Sequence, residues 1–312
     1  MTLAVLFPGQ GSQSVGMGRV FYETSAAAKA VFEEADDALG MHLTRLIFEG
    51  PEPDLALTAN TQPAVLTASV AAAAVCAERG LGPALGAGHS LGEYSALVVA
   101  GALSFADAVR VVRKRGEFMQ DAVPVGAGAM AAVMGLDADA VGDVCREAAA
   151  GEVVEVANIN SAGQIVIAGH RGAVERAVKL AAMRGGRKCT ILPVSAPFHS
   201  SLMAPAAERL AAELGAVEVR DPSFPVARNV DGELTRSASD VKPFLLRQVA
   251  SPVRWTDCVR RLSAEGATAF VEVGPGRVLT GLLKRILDGA RGYSIEDPDG
   301  LEKTLAALGA RA

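Results

Sequence analysis

The sequence predicts an α/β protein with a large unit, built on a parallel-sheet core covered by helices, and a smaller inserted βαββαβ unit. Three observations carry this expectation. Over the first 125 residues, short apolar runs flanked by glycine alternate with longer stretches of helical periodicity. Between residues 126 and 195 the order changes to strand, helix, strand, strand, helix, strand. From 196 to 312 the first pattern returns, so the smaller unit reads as an insertion into the larger. With 312 residues, 50% of them hydrophobic, the chain can bury a substantial core.

Taken in order, residues 3–7 form an apolar strand that runs into Pro8-Gly9-Gln10-Gly11. Helical patterns follow at 26–39 and 63–78, then a short strand at 84–88 and helices at 91–100 and 106–121. In the inserted unit, strands are expected at 129–134, 153–159, 164–168 and 188–194, with helices at 139–149 and 173–183. The last part carries helices at 201–214, 241–249, 255–264 and 278–287, and a strand at 269–273 ahead of Gly274-Pro275-Gly276. A cleft between the two units, 1–125 with 196–312 and 126–195, is the natural place for a ligand.

Composition narrows the function. A net charge of −5 without a long basic run argues against nucleic acid. The apolar stretch 64–77 is shorter than the roughly 20 residues of a membrane span and reads as a buried helix. Cys76, Cys145, Cys189 and Cys258 are far apart, so neither a metal cluster nor a disulfide framework is signalled. With no basic leader at the N-terminus, a cytoplasmic protein with reduced thiols is expected, and a monomer without metal or cofactor.

Gly88-His89-Ser90-Leu91-Gly92 is a G-x-S-x-G match between an apolar run and a helical one. In a nucleophile elbow such glycines permit a serine to sit on a tight strand-to-helix turn, its hydroxyl clear of the sheet. The large unit is therefore expected to be α/β-hydrolase-like. The alternative is a plain tight turn without catalysis. The next N–H, that of Leu91, lies at a helix start where donors are unpaired and anions are favoured. A base must come from His42, His89, His170 or His199. His199, in Pro197-Phe198-His199-Ser200 at the junction of the units, is the best candidate, against a capping or packing role.

The turn at Gly9-Gln10-Gly11 could present a second oxyanion donor at the carboxyl edge of the first strand, or be an ordinary βα loop. It is not a dinucleotide fingerprint, because Ser14 stands where the third glycine belongs. In Arg113-Lys114-Arg115 the bland reading is a solvated helix end, preferred for Arg113 and Lys114; one arginine facing a cleft would clamp a carboxylate with two parallel hydrogen bonds.

These motifs, together with Thr61-Gln62-Pro63-Ala64, Met119-Gln120, Asn158-Ile159-Asn160-Ser161 and Val273-Gly274-Pro275-Gly276, resemble the malonyl-CoA:acyl carrier protein transacylases of fatty acid and polyketide synthesis across nearly the whole chain. The resemblance implies Ser90 as nucleophile, His199 as its base, and the backbone N–H groups of Gln10 and Leu91 as oxyanion donors. It implies that the backbone carbonyl of Gln248, and not an aspartate, orients the histidine, and that Arg115 pairs with the malonyl carboxylate. Phe198, Met119 and Asn160 would help to bind substrate, with phenylalanine before the histidine matching the malonyl-selecting pattern. The implied partners are malonyl-CoA and a holo acyl carrier protein that brings its own phosphopantetheine. Rival readings are a serine thioesterase or esterase, a non-catalytic carrier-docking module, and, within the family, a discrete polyketide acyltransferase or a malonate decarboxylase subunit. An acidic carrier would suit a basic dock drawn from Arg184, Arg187, Lys188, Lys284 and Arg285.

Overall fold

A computed structural model describes residues 2–194 and 196–309. Ser195, at the expected junction, lies outside the described residues, as do Met1 and 310–312.

Among the described residues ten strands form two sheets: β1 (Leu3–Phe7), β2 (Leu85–Gly88), β3 (Gly128–Met134), β4 (Val154–Ser161), β5 (Gln164–His170), β6 (Lys188–Ile191), β7 (Val226–Ala227), β8 (Leu234–Thr235), β9 (Ala269–Val273) and β10 (Gly292–Ile295). The larger sheet has the order β10-β9-β1-β2-β7-β8 and is parallel except for the β7–β8 hairpin. The second sheet is antiparallel throughout, in the order β4-β5-β3-β6.

All five residues of β1 are buried, as expected of a central parallel strand with helices on both faces. Val5 and Phe7 pack with the helices Thr58–Glu78, Gly92–Val99 and Phe105–Asp121, while Ala4 and Leu6 pack with Trp255–Ala264 and Val278–Ile286. In the second sheet Ala131, Val133, Ile165 and Ile167 pack under the helices Ala138–Ala149 and Arg171–Met183. The opposite face, turned to the larger unit, carries Met130 and Val166, which roof a cleft above the carboxyl ends of β1 and β2.

Several elements differ from the expectation. The helix expected to begin at Pro63 begins at Thr58. Pro63 has no N–H to offer the carbonyl of Ala59, and that carbonyl is taken instead by Arg113 Nη1 at 3.0 Å. The Phe105–Asp121 helix agrees with the expected 106–121, but Arg113 is no solvated helix end: it is half-buried and ties two helices together. The last strand of the second sheet stops at Ile191 and not at 194. The short strands β7, β8 and β10 carry too little period of their own to be read from sequence, and the helix Pro298–Leu308, capped by Asp297 with proline in its first turn and Gly309 at its end, is not among the expected elements.

Candidate active site

β1 and β2 pair in register as far as Phe7↔Gly88, which sets the two glycine-rich turns side by side. Their fit admits little but glycine: a Cβ on Gly92 would lie 2.1 Å from the Phe7 carbonyl oxygen, and one on Gly9 would lie 2.4 Å from that of His89. Between them Ser90 is held at φ 52°, in the left-handed region that an L-residue enters only at a cost. Asn229, fully buried after β7, holds this turn from below: its Oδ1 accepts from Ser90 N at 2.6 Å and its Nδ2 donates to Gly88 O at 2.8 Å.

His199 is also held at positive φ, 60°, and its Nε2 lies 2.7 Å from Ser90 Oγ. Nδ1 lies 3.0 Å from the backbone carbonyl of Gln248. A carbonyl oxygen only accepts, so Nδ1 carries the proton and the lone pair of Nε2 faces the hydroxyl. The arrangement is a serine–histidine pair oriented by a main-chain oxygen.

Arg115 is buried and reaches the same hydroxyl. Nη2 donates to Ser90 Oγ at 3.1 Å and to Gln248 Oε1 at 2.9 Å, and Nη1 donates to Gln62 Oε1 at 2.7 Å. Tyr94 stacks its ring 5.6 Å from the guanidinium carbon. The acceptors around this buried cation are all uncharged, which leaves the fork poised for a carboxylate from outside the chain.

Gln10 and Leu91 lie on either side of Ser90 in a cleft of about 260 Å³, and among the described residues nothing accepts from the backbone N–H of either. Phe198, Met119 and Asn160 line the same cleft. Met119 receives Gln62 Nε2 on its sulfur at 3.8 Å, and Asn160 Oδ1 lies 2.8 Å from His89 Nε2, which turns His89 away from Ser90. His170 accepts from Val153 N at 3.0 Å, and His42 precedes the helix Leu43–Glu49 on the surface. Every site residue expected from the sequence therefore meets in one place. Gln62, Glu93 and Asn229 were missed. Gln62 stands inside the Thr61–Ala64 motif and Glu93 directly follows the elbow motif, but Asn229 has no signal of its own.

Burial, with Arg115 adding to it, pushes His199 down to about 3, whereas burial pushes the Glu93 carboxyl up to about 7. Their effects on stability oppose each other. His199 costs the native state stability as pH falls from about 6.5 towards 3, because only the unfolded imidazole then binds a proton; Glu93 favours the native state as pH falls from about 7 to 4.5, because there the folded carboxyl binds one first. For the chemistry the sign is simple: His199 stays neutral, and so able to take a proton, well below the ordinary imidazole range. Single-turnover acylation is expected to be flat from pH 8 to about 5, with its acid limb below that; a half-maximum near 6.5 would contradict the buried, neutral base.

The family model described as acyl transferase domain matches residues 5–297. The malonyl CoA-acyl carrier protein transacylase of Bacillus subtilis (strain 168) is 49% identical over 307 residues, 98% of this chain and 97% of that protein. That of Escherichia coli (strain K12) is 48% identical over 303 residues, 97% of this chain and 98% of that protein. The crystal structure of an acyl carrier protein S-malonyltransferase from Vibrio cholerae O1 superposes with a TM-score of 0.95 at 48% identity, covering 97% of this chain and all of that one. A malonyl-transacylase solved in complex with a type II polyketide acyl carrier protein superposes with a TM-score of 0.96 at 45% identity, covering 98% of this chain and all of that one.

Proposed function

The chain belongs to the acyl transferase domain family, and from that premise we propose that it moves a malonyl group from malonyl-CoA to the phosphopantetheine thiol of a holo acyl carrier protein. The observation that carries the reading is a buried arginine with only uncharged acceptors, 3.1 Å from the hydroxyl that His199 faces. An esterase has no use for such a cation, and a docking module none for the histidine.

The reaction runs in two balanced halves. Ser90 Oγ attacks the thioester carbonyl while its proton passes to His199 Nε2, and the oxyanion rests on the N–H groups of Gln10 and Leu91. The C–S bond then breaks, the CoA sulfur takes the proton from His199, and malonyl remains as an ester on Ser90. In the second half the carrier's thiol gives its proton to His199 and attacks the ester, and Ser90 leaves with that proton. An ester and a thioester exchange without ATP. Arg115 holds the malonyl carboxylate throughout, with Phe198, Met119 and Asn160 bounding the acyl and pantetheine path.

Residues 126–195 form the ferredoxin-like insertion in this reading, supported by the βαββαβ order and the antiparallel sheet, and 1–125 with 196–312 the hydrolase-like catalytic unit. We take the protein as a cytoplasmic monomer of fatty acid synthesis, with a polyketide carrier as the alternative. Among the described residues no helix is long and apolar enough to cross a membrane.

Intact mass after a quenched reaction with malonyl-CoA tests the proposal directly. A gain of one malonyl group that disappears on adding holo carrier protein, with the carrier gaining it, is the expected result. Discharge to water alone would make the protein a hydrolase.

The carrier's dock is read at the cleft mouth, where Arg285 Nη1 donates to Gln164 Oε1 at 2.8 Å and Lys188 pairs across Met134 from that glutamine. Arg187 follows on the same corner through its N–H to Met134 O, whereas Arg184 is engaged by Glu147 and drops out of the expected set. Reversing the charge of Arg187 with Lys188, or of Lys284 with Arg285, should raise KM for the carrier about tenfold or more at low salt with kcat for malonyl uptake unchanged. An unaltered KM would place the dock elsewhere.

A further inference from the structure

We propose that Glu93 is a positioning residue for acyl selection: it holds the Arg115 guanidinium in place through the side-chain amide of Gln248, without touching the arginine. Glu93 is 3% exposed and sits in the first turn of the helix that follows the nucleophile. Its Oε2 accepts from Asn229 N at 3.0 Å and from Gln248 Nε2 at 2.7 Å. The same Nε2 donates to the Ser90 carbonyl at 3.0 Å, and the other end of the amide, Oε1, accepts from Arg115 Nη2. An amide turned by 180° would set its NH₂ against a guanidinium and its oxygen against a carboxylate, two repulsive contacts in a low-dielectric interior. Glu93 at one end and Arg115 at the other thus permit a single orientation.

The amide between them has a purpose that a direct ion pair would defeat. A carboxylate in contact with Arg115 would occupy the donors that a substrate carboxylate needs. One amide away, Glu93 supplies the acceptor that fixes the amide and, when ionised, a charge that offsets the cost of burying the cation, while the partners that touch the fork are uncharged and give way to an incoming anion. The bond to the Ser90 carbonyl ties this relay to the elbow, so the clamp and the nucleophile keep a fixed spacing. Asn229 belongs to the same unit, since its side chain holds the turn and its N–H meets Glu93.

The inference rests on the malonyl-transfer reading. Its test is single-turnover acylation by malonyl-CoA and by acetyl-CoA, quenched and read by intact mass. For Glu93→Ala the malonyl-to-acetyl rate ratio should fall about tenfold or more, mainly through weaker saturation by malonyl-CoA. Glu93→Gln keeps an acceptor towards Gln248 and Asn229 and should stay within about threefold of wild type. Gln248→Met removes the amide but keeps the carbonyl under His199; it should give the same fall, and adding Glu93→Ala to it nothing further. Equal slowing with both thioesters in Glu93→Ala, or an unchanged ratio in Gln248→Met, would overturn the proposal, and the second variant decides it if the first does not fold. A wild-type protein that takes up no malonyl would remove the proposed function and this inference together. Normal uptake with variants of unmoved ratio would remove the inference alone.

Discussion

Ser90→Ala is expected to carry no acyl group after exposure to malonyl-CoA and to lose turnover by about 10⁴- to 10⁶-fold, the scale on which removal of a paired nucleophile acts. The substitution is clean for a structural reason. Alanine keeps the Cβ that already tolerates φ 52°, and the Asn229 bond that fixes the turn uses the backbone N–H of residue 90, not its hydroxyl. The elbow should therefore keep its shape and the thermal midpoint should stay within a few degrees. What is lost is the one oxygen that faces both His199 Nε2 and Arg115 Nη2. Intact mass and a carrier-malonylation assay read the two halves separately. An adduct persisting on the variant, or turnover reduced less than tenfold, would move the nucleophile elsewhere.

Arg115→Ala is expected to slow acylation by malonyl-CoA about 10²- to 10³-fold, matching the roughly 3–4 kcal/mol that truncating one partner of a buried charge pair costs. Acetyl-CoA, which brings no carboxylate, should lose little or gain. Arg115→Lys should recover only part of the malonyl rate, because an ammonium cannot present two parallel donors while also reaching Gln62. The selective loss is the informative quantity. Equal losses with both thioesters would mean that Arg115 serves Ser90 or the packing around Gln62 and Gln248, and the clamp would fall. Burial lowers the proton affinity of Arg115, with Tyr94 and Glu93 opposing, so removing it also removes one of the causes that depress His199. The acid limb of the variant should accordingly move to higher pH.

Local sequence determined the α/β alternation, the central buried strand and the strand–helix–strand–strand–helix–strand insert, because apolar period and glycine punctuation are properties of neighbours. It determined the elbow for the same reason: Gly88 and Gly92 are close in sequence to the serine they free. His199 stood out as base by its place at the junction of the units, and the Gln10 turn as a possible oxyanion donor by its place after the first strand, whereas the roles of Gln248 and Arg115 came from a resemblance that spans the chain, since no short-range pattern joins residues 10, 90, 115, 199 and 248. Only the tertiary structure decided the rest. It started the Thr58–Glu78 helix ahead of Pro63 because Arg113, from a distant helix, takes the carbonyl that proline leaves unbonded. It made Asn229 the support of the elbow and Glu93 the buried end of a relay to Arg115, through hydrogen bonds between groups more than a hundred residues apart. A hydrogen bond acts over about 3 Å of space whatever the separation along the chain, so sequence can supply the groups but only the fold selects which of them meet.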